Sequence, residues 1–350
     1  RGMGILPPWE MTFPELLQRN GYHTGAFGKL HLTPECYTRN KLKSDKPRID
    51  WRAFAEDAAI PNMELDPEKE NYGFLEHTGC DDACQGNFHD WLRARGKEVG
   101  KTEKLYEDGP GDLYVSPYSS EFHQSTFIAQ SAAESIKSAD RKKPWMAFCS
   151  FIAPHPPFEA PADQLDRYSD SDIPLPERDE GLSVEHIPEP MRRAIGETDT
   201  YSDEVMRSIV KHYYASISLV DDGVGLLLDA LVKTGQLEDT IIVFVADHGE
   251  FLGSHGLLRK PSIHFDDVMQ VPMLMRVPGG PEGVRVPGLV ETIDIYPTLL
   301  GLLGIPCNPG VQGTDWSSAI MDDNAANIGH DEVYSDMYDM HPLTHDTPRG

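Results

Sequence analysis

The sequence predicts an α/β protein built on a doubly wound sheet. Segments with helical spacing alternate with short apolar segments along most of the chain, and this alternation is typical of parallel α/β sheets. Residues 240–246 (TIIVFVA) form a continuous β-branched run, as expected of a central parallel strand that is buried on both faces. One large domain can accommodate the 350 residues of the chain,.

Helix and strand signals follow one another in the first half of the chain. Residues 12–20 begin with a Thr cap, carry Pro and Glu in the first turn and are followed by Gly21, which predicts a short helix. Residues 22–27 then predict a strand. Residues 121–139 have helical spacing and lead into an apolar run at 145–153, which predicts a helix and a buried strand.

The second half continues the alternation. Residues 201–233 carry apolar side chains at helical spacing and end at Thr234 and Gly235, which predicts the longest helix of the chain. After the 240–246 run, residues 271–277 predict another strand, and residues 294–303 predict a helix with Asp294 at its N-terminal end.

Two polar stretches interrupt this pattern. Residues 45–116 are rich in Pro, Gly and acidic side chains, and we expect an insertion that packs on the rim of the domain. Residues 156–200 are rich in proline, and a loop of that length is typically functional or mobile. We expect this second stretch to shape a substrate cleft.

Composition excludes several classes of protein. The formal net charge of -26 argues against a nucleic-acid partner, because such binding depends on Lys and Arg neutralising phosphates. No apolar run approaches the ~20 residues of a membrane-spanning helix, so no membrane partner is expected.

The five cysteines are scattered, which indicates neither a disulfide scaffold nor a zinc site. Cys80 and Cys84 could pair, although free buried thiols are favoured.

A carboxylate and an imidazole follow the predicted central strand. Ligands of open α/β sheets bind beyond the carboxyl ends of the strands, where Asp247 and His248 lie. With Gly249 allowing a tight turn, this pair could form half of a divalent metal site. The alternative is a strand-end Asp that caps the next helix beside an exposed His.

Further polar residues follow other predicted strands. Lys29 and His31 are two positions apart, so an extended backbone directs both to one face, although on spacing alone ordinary loop polarity is the favoured interpretation. His155 lies between prolines that fix the backbone and is a candidate acid or hydrogen-bond donor; a structural turn is the alternative. Lys260 ends the loop that contains His255 and could neutralise an oxyanion, against the alternative of a solvated lysine.

The chain contains, in this order, the segments GYHTGAFGKLH, APHPPF, VADHGEFLGSHGLLRK, VPMLMRVPGG and DIYPTLLGLLGIP. Together these motifs, which span about residues 12–310, resemble the sulfatase family of the alkaline-phosphatase-like superfamily. The resemblance implies a three-layer α/β/α sandwich around a large, mostly parallel sheet, with residues 1–350 as one partial catalytic domain.

The resemblance also implies a set of site residues and a cofactor. One divalent cation is expected, with calcium favoured and manganese or magnesium as alternatives. The residues are metal ligands (Asp247 and His248), sulfate-binding cations (Lys29 and Lys260), hydrogen-bonding or proton-transfer groups (His31 and His155) and, in a secondary role, His255.

The main departure from the family is at the nucleophile. In sulfatases the nucleophile is a formylglycine made from Cys or Ser in C/S-x-P-x-R, a pattern that the 350 residues do not contain. Cys36 does not supply it, because Tyr37, Thr38 and Arg39 follow. The resemblance places the nucleophile and two further metal-binding acids upstream of Arg1, and a smaller subdomain after Gly350. We therefore expect the chain alone to lack sulfatase activity.

The resemblance implies metal-dependent hydrolysis of sulfate esters, with a small-molecule or glycan sulfate as substrate and a carbohydrate or aryl sulfate favoured. Because the Asp-His form also occurs in phosphonate monoester hydrolases, a phosphonate or phosphate ester hydrolase is one alternative. A catalytically inactive homologue that binds sulfated glycans is another. Localisation and oligomeric state stay open, with the bacterial periplasm or secretion favoured.

Overall fold

A computed structural model of the chain describes residues 11–30, 72–80, 87–98, 100, 105–106, 113–176, 201–260, 264–322 and 328–335. The strands in these residues are β1 (His23–Gly28), β2 (Glu76–Gly79), β3 (Leu113–Val115), β4 (Trp145–Ser150), β5 (Phe158–Ala160), β6 (Ile242–Val245) and β7 (Met273–Arg276). The α-helices are α1 (Phe13–Arg19), α2 (Asn87–Ala94), α3 (Gln124–Ser138), α4 (Ala162–Leu165), α5 (Asp203–Thr234), α6 (Asp266–Met269), α7 (Ile295–Leu303) and α8 (Ser317–Met321).

The described strands form three small sheets. The first is parallel, with the order β2-β1-β4, and its register places Gly28 of β1 opposite Ser150 of β4 and Gly79 of β2. The second pairs β3 with β5 in parallel, and the third pairs β6 with β7 antiparallel. Because β1, β2 and β4 run the same way, their carboxyl ends lie at one edge.

Helices cover both faces of the first sheet. On one face, Phe27 of β1 and Cys149 of β4 pack with the helices α2 and α3. On the other face, Met146 of β4 packs with Leu17 of α1 and Leu300 of α7. This is the three-layer α/β/α arrangement that the resemblance implies.

Local sequence signals located the helices well. Thr12 caps α1 by accepting a hydrogen bond from the Glu15 backbone N–H at 3.2 Å, as its position predicts. The predicted longest helix is α5, which begins after the Ser202 cap and ends at Gly235 with a φ of 67°, the left-handed ending that glycine favours. Both predicted helices are confirmed.

The prediction for the 240–246 run is only partly correct. A strand forms there, but β6 pairs antiparallel with β7, Ile242 opposite Arg276. Its burial was also predicted wrongly, because Phe244 and Val245 are 41% and 39% exposed. A run of β-branched residues indicates that a strand forms. The pairing of that strand and the burial of its side chains depend on residues distant in sequence. In the described part of the chain, β7 is its bonded neighbour.

Parts of the 45–116 stretch differ from the expected rim insertion. Residues 76–79 form β2, which is hydrogen-bonded to β1. Helix α2 buries Phe88 and Leu92 in the core beside Phe127, so this part of the stretch is integral to the domain. The reason is local: these apolar residues lie four apart and share one helix face. Residues 31–71 and 177–200, and with them much of both polar stretches, lie outside the described residues.

Helices α3 and α5 connect the first and third sheets. Ala133 and Ile136 of α3 and Ala230 and Leu231 of α5 form one buried cluster, against which Trp145 of β4 and Ile242 of β6 both pack. The Trp145 indole N–H also donates to the Gln236 side chain at 2.8 Å. Strands β4 and β6 are thus held against the same pair of helices.

Cysteines and apolar segments give little further information on function. Cys80, Cys149 and Cys307 are free thiols, and burial raises the pKa of Cys149 to about 12. Cys84, the possible partner of Cys80, lies outside the described residues. No helix among the described residues combines the length and the apolar character needed to cross a membrane.

The Asp294 carboxylate joins several segments near the C-terminal end of the described chain. It is 3% exposed and accepts hydrogen bonds from the backbone N–H of Thr314 at 2.7 Å and of Glu291 at 3.0 Å. The Trp316 indole and the His330 ring donate to it at 3.3 and 2.8 Å. Burial acts to raise the pKa of Asp294, but these bonds lower it on balance.

Replacing Asp294 should therefore destabilise the fold. Asp294→Ala leaves several donors without a partner, and we expect the free energy of unfolding to fall by about 3 kcal/mol near neutral pH. Since the folded pKa is lowered, the stability that the carboxylate contributes is present above its unfolded pKa of about 3.9 and is lost as pH falls below it. Denaturant unfolding from pH 7 to pH 3 should show the difference from wild type shrinking below about pH 4. Asp322→Ala, at an exposed position, is the control, and a loss as small as that of the control would contradict the assignment.

Candidate active site

Lys29 directly follows the carboxyl end of β1, and contacts there hold its backbone in place. Gly28 has a φ of 97°, and a Cβ atom there would lie 2.0 Å from the Ser150 carbonyl oxygen, so only glycine fits this close approach. The Lys29 backbone N–H donates to the same carbonyl at 3.0 Å. Lys29 therefore leaves the sheet from a fixed point. His31, predicted to accompany it, lies outside the described residues.

Asp247 and His248 follow β6 and lie side by side. The His248 backbone N–H donates to Asp247 Oδ1 at 3.1 Å, and His248 Nε2 lies 3.7 Å from the same oxygen. The next residue, Gly249, donates to the Val268 carbonyl at 2.8 Å. A Cβ at Gly249 would lie 1.9 Å from the Asp267 carbonyl oxygen, so a larger residue cannot make this turn.

The tautomer of His248 follows from its hydrogen bond. Nδ1 lies 2.7 Å from the Gly249 carbonyl oxygen, and since a carbonyl only accepts, Nδ1 carries the proton. Burial, followed by the charge of Lys260, lowers the pKa of His248 although the bond to Gly249 acts the other way. The imidazole is therefore neutral near pH 7, with the Nε2 lone pair directed towards Asp247 and Lys260.

Partial burial and three neighbouring side chains affect the pKa of Asp247. Its side chain is 75% exposed, but the neighbouring protein still desolvates it in part, and this acts to raise its pKa. His248, Lys260 and Lys29 oppose this and lower the pKa of Asp247 on balance. The carboxylate is thus ionised at neutral pH, and residues from β1, β6 and a later loop meet around it.

Lys260 reaches the site from the loop of residues 250–260. Its Nζ contacts His248 Nε2 directly. Phe251 and Leu257 of the loop are each 1% exposed and pack against Val268, which anchors the loop beside β6. The structure thus places Lys260 in contact with His248 beside Asp247, and the charge of Lys29 acts on the same carboxylate.

His155 lies close to His248. The two rings have centroids 6.1 Å apart at an angle of 66°. His155 Nδ1 lies 2.6 Å from the Pro156 carbonyl oxygen, so Nδ1 is the donor and Nε2 carries the lone pair. The flanking peptide bonds Ala153–Pro154 and Pro156–Pro157 are both cis. The predicted residue therefore lies near the predicted metal ligands.

His255 has a different environment. Its Nε2 lies 3.4 Å from Asp267 Oδ2, and its ring packs against Phe265 and Phe251 with centroids 4.8 and 6.2 Å away. These contacts support a packing role within the loop. Its predicted secondary role in the site stays a prediction.

Sequence reasoning missed two residues near Asp247. Tyr213 was interpreted only as part of the apolar face of the long helix, yet burial and then the charges of Glu250 and Asp247 raise its pKa to about 12. Glu250 lies in the VADHGEFLGSHGLLRK motif, but no role was predicted for it. Burial raises the pKa of Glu250, and hydrogen bonds from Leu252 and Arg259 oppose that shift. No local pattern marks either residue, because their proximity arises from the packing of α5 against the loop.

Among the described residues, we consider two groups of side chains that could bind a cation. The Asp247 carboxylate and the His248 Nε2 lone pair, 3.7 Å apart, fit two positions of a divalent site. The same lone pair contacts Lys260, so the ammonium and a cation would compete for it. Glu291, Asp294 and His330 also place ligand atoms within 4.8 Å of one another. The second group needs no cation for its stability, because Asp294 already accepts four hydrogen bonds.

Several known proteins are similar to this chain in sequence. An arylsulfatase of Clostridium perfringens is 26% identical over 333 residues, covering 92% of this chain and 64% of the relative. The choline-sulfatase of Rhizobium meliloti is 32% identical over 322 residues, covering 88% and 55%. The multifunctional alkaline phosphatase superfamily protein PehA of Trinickia caryophylli is 32% identical over 313 residues, covering 84% and 58%. The chain thus spans about three fifths of the length of these relatives.

Solved structures show the same fold. A phosphonate monoester hydrolase from Silicibacter pomeroyi superposes with a TM-score of 0.68 at 24% identity, covering 92% of this chain and 63% of that one. The phosphonate monoester hydrolase of Agrobacterium radiobacter has a TM-score of 0.66 at 26% identity, covering 88% and 61%. The Sulfatase family profile matches residues 3–305. This chain therefore belongs to the sulfatase family and has the alkaline-phosphatase-like fold.

Proposed function

We propose that the protein hydrolyses sulfate esters in a metal-dependent reaction, with a carbohydrate or aryl sulfate as substrate. The observation that carries this proposal is the cluster at the end of β6, where the Asp247–His248 pair is bordered by the ammonium groups of Lys29 and Lys260. A compact group of cations is what a tetrahedral anion requires in a chain whose net charge is -26,. Family membership supports the same conclusion.

In this proposal the two lysines neutralise charge that develops on the sulfate oxygens. Fixed positive groups are most effective when they need no reorganisation in the transition state, and Lys29 leaves from a backbone that Gly28 and Ser150 fix. His155 or His31 protonates the departing alcohol oxygen, as an imidazole can do near neutral pH. His155 Nε2 could carry that proton in the imidazolium form, because Nδ1 already donates to Pro156.

Asp247 and His248 would hold the cation in this scheme. A bound divalent cation supplies a Lewis acid that stabilises negative charge, with calcium favoured and manganese or magnesium as alternatives. The proposed nucleophile is a formylglycine. None of the Cys or Ser residues in the 350 is followed by the x-P-x-R pattern that is its source, so the nucleophile belongs to sequence outside these residues.

The first test concerns Lys260, in a protein that includes the formylglycine segment. Lys260→Ala should lower kcat/KM for an aryl sulfate by roughly 10²–10³-fold, about 3–4 kcal/mol, as for the loss of other oxyanion donors. Steady-state kinetics measure the effect. Lys233→Ala, which removes a lysine that is 70% exposed on α5, is the matched control. A loss of less than threefold, equal to that of the control, would remove Lys260 from the mechanism.

A phosphonate or phosphate ester hydrolase is the second candidate. It is favoured by the likeness to two phosphonate monoester hydrolases and by the Asp-His pair, because a phosphoryl group fits the same cationic pocket.

The second test compares the two substrates directly. We expect kcat/KM for an aryl sulfate to exceed that for the matching aryl phosphonate monoester, since the family match is to sulfatases. Both are measured with the same leaving group in the same enzyme preparation. The reverse order would assign the protein to phosphonate hydrolysis, and binding of sulfated glycans without turnover of either ester would indicate an inactive homologue.

A further inference from the structure

The Glu250 carboxylate lies inside the loop that carries Lys260. One oxygen, Oε1, accepts from the backbone N–H of Leu252 at 3.1 Å and from that of Arg259, a still shorter contact. These two donors come from opposite ends of the 250–260 loop. A single side chain therefore joins the beginning of the loop to the residue before Lys260.

Both of these donors belong to residues with a left-handed backbone. Leu252 has a φ of 47° and Arg259 a φ of 65°. For residues other than glycine this conformation is unfavourable and persists only where surrounding contacts enforce it. The Glu250 carboxylate supplies such a contact at both positions.

Other contacts fix the loop on both sides. The Phe251 N–H donates to the Arg259 carbonyl at 3.1 Å, and the Gly253 N–H donates to that of Leu257 at 2.7 Å. Leu252 and Leu258 pack against the cluster of Leu113, Phe158, Met206 and Ile209. Arg259 directly precedes Lys260, whose side chain contacts His248.

We infer that Glu250 is a positioning residue that sets the location of the Lys260 ammonium by closing this loop. The structural part of the inference needs only the contacts of the loop. Its consequence for catalysis rests on the proposed function. Glu250 makes no contact with the substrate in this scheme, so its effect on the reaction should pass through Lys260.

A double-mutant cycle tests this route, because two residues that act through one group are not additive. In the protein that includes the formylglycine segment, Glu250→Ala should lower kcat/KM for an aryl sulfate at least tenfold. In the Lys260→Ala background the same change should have an effect below twofold. Glu250→Gln, which keeps a carbonyl oxygen for the two N–H donors, should recover most of the loss.

Hydrogen exchange of the present chain tests the structural part without any turnover. Glu250→Ala should speed amide exchange across residues 251–260 at least tenfold, Glu250→Gln should stay near wild type, and the exposed Glu238→Ala should leave the loop unchanged (the Glu238 side chain is 82% exposed).

Two results would overturn the inference. One is an unchanged rate of amide exchange across residues 251–260 in folded Glu250→Ala. The other is a loss of kcat/KM on Glu250→Ala that is as large in the Lys260→Ala background as in wild type. If Glu250→Ala does not fold, the glutamine variant decides through exchange. If the wild-type enzyme turns over no sulfate ester, the proposed function fails, while the exchange result still decides the role of Glu250.

Discussion

The charge balance at Asp247 is the interaction on which the rest of the site depends. The Lys29 and Lys260 side chains come from segments more than two hundred residues apart, and both lower the pKa of this one carboxylate. Two neighbouring ammonium groups repel each other, and a nearby carboxylate offsets that repulsion. Asp247 supplies the negative charge, and the neutral His248 beside it adds no third positive charge.

This arrangement requires backbones that approach each other closely. At Gly28 and Gly249 a Cβ would lie 2.0 and 1.9 Å from carbonyl oxygens of neighbouring segments, far inside contact distance. Each glycine immediately precedes or follows a site residue. Helices α3 and α5 then pack against both β4 and β6 through one shared cluster, so the strands that precede His155 and Asp247 are held against the same pair of helices.

Sequence alone predicted the parts of the structure that depend on neighbouring residues. Helix α1 was located by its Thr12 cap and helix α5 by its apolar spacing and Gly235, because these signals act within a few positions. The pairing of β6 was missed because hydrogen-bonding partners are chosen in tertiary structure. Asp247 and His248 were predicted as site residues from their position after a strand, together with the family resemblance, and this stays a prediction. Glu250 and Tyr213 were not, since their contacts exist only once the 250–260 loop has folded against α5.

The location of the bound cation tests the central claim most directly. Anomalous scattering from crystals of the protein soaked in manganese would locate the ion without any assumption about activity. The account predicts a peak within coordination distance of the Asp247 carboxylate and His248 Nε2. A peak found only at Glu291, Asp294 and His330, a group of possible ligands in the described part of the chain, or no peak at all would contradict it.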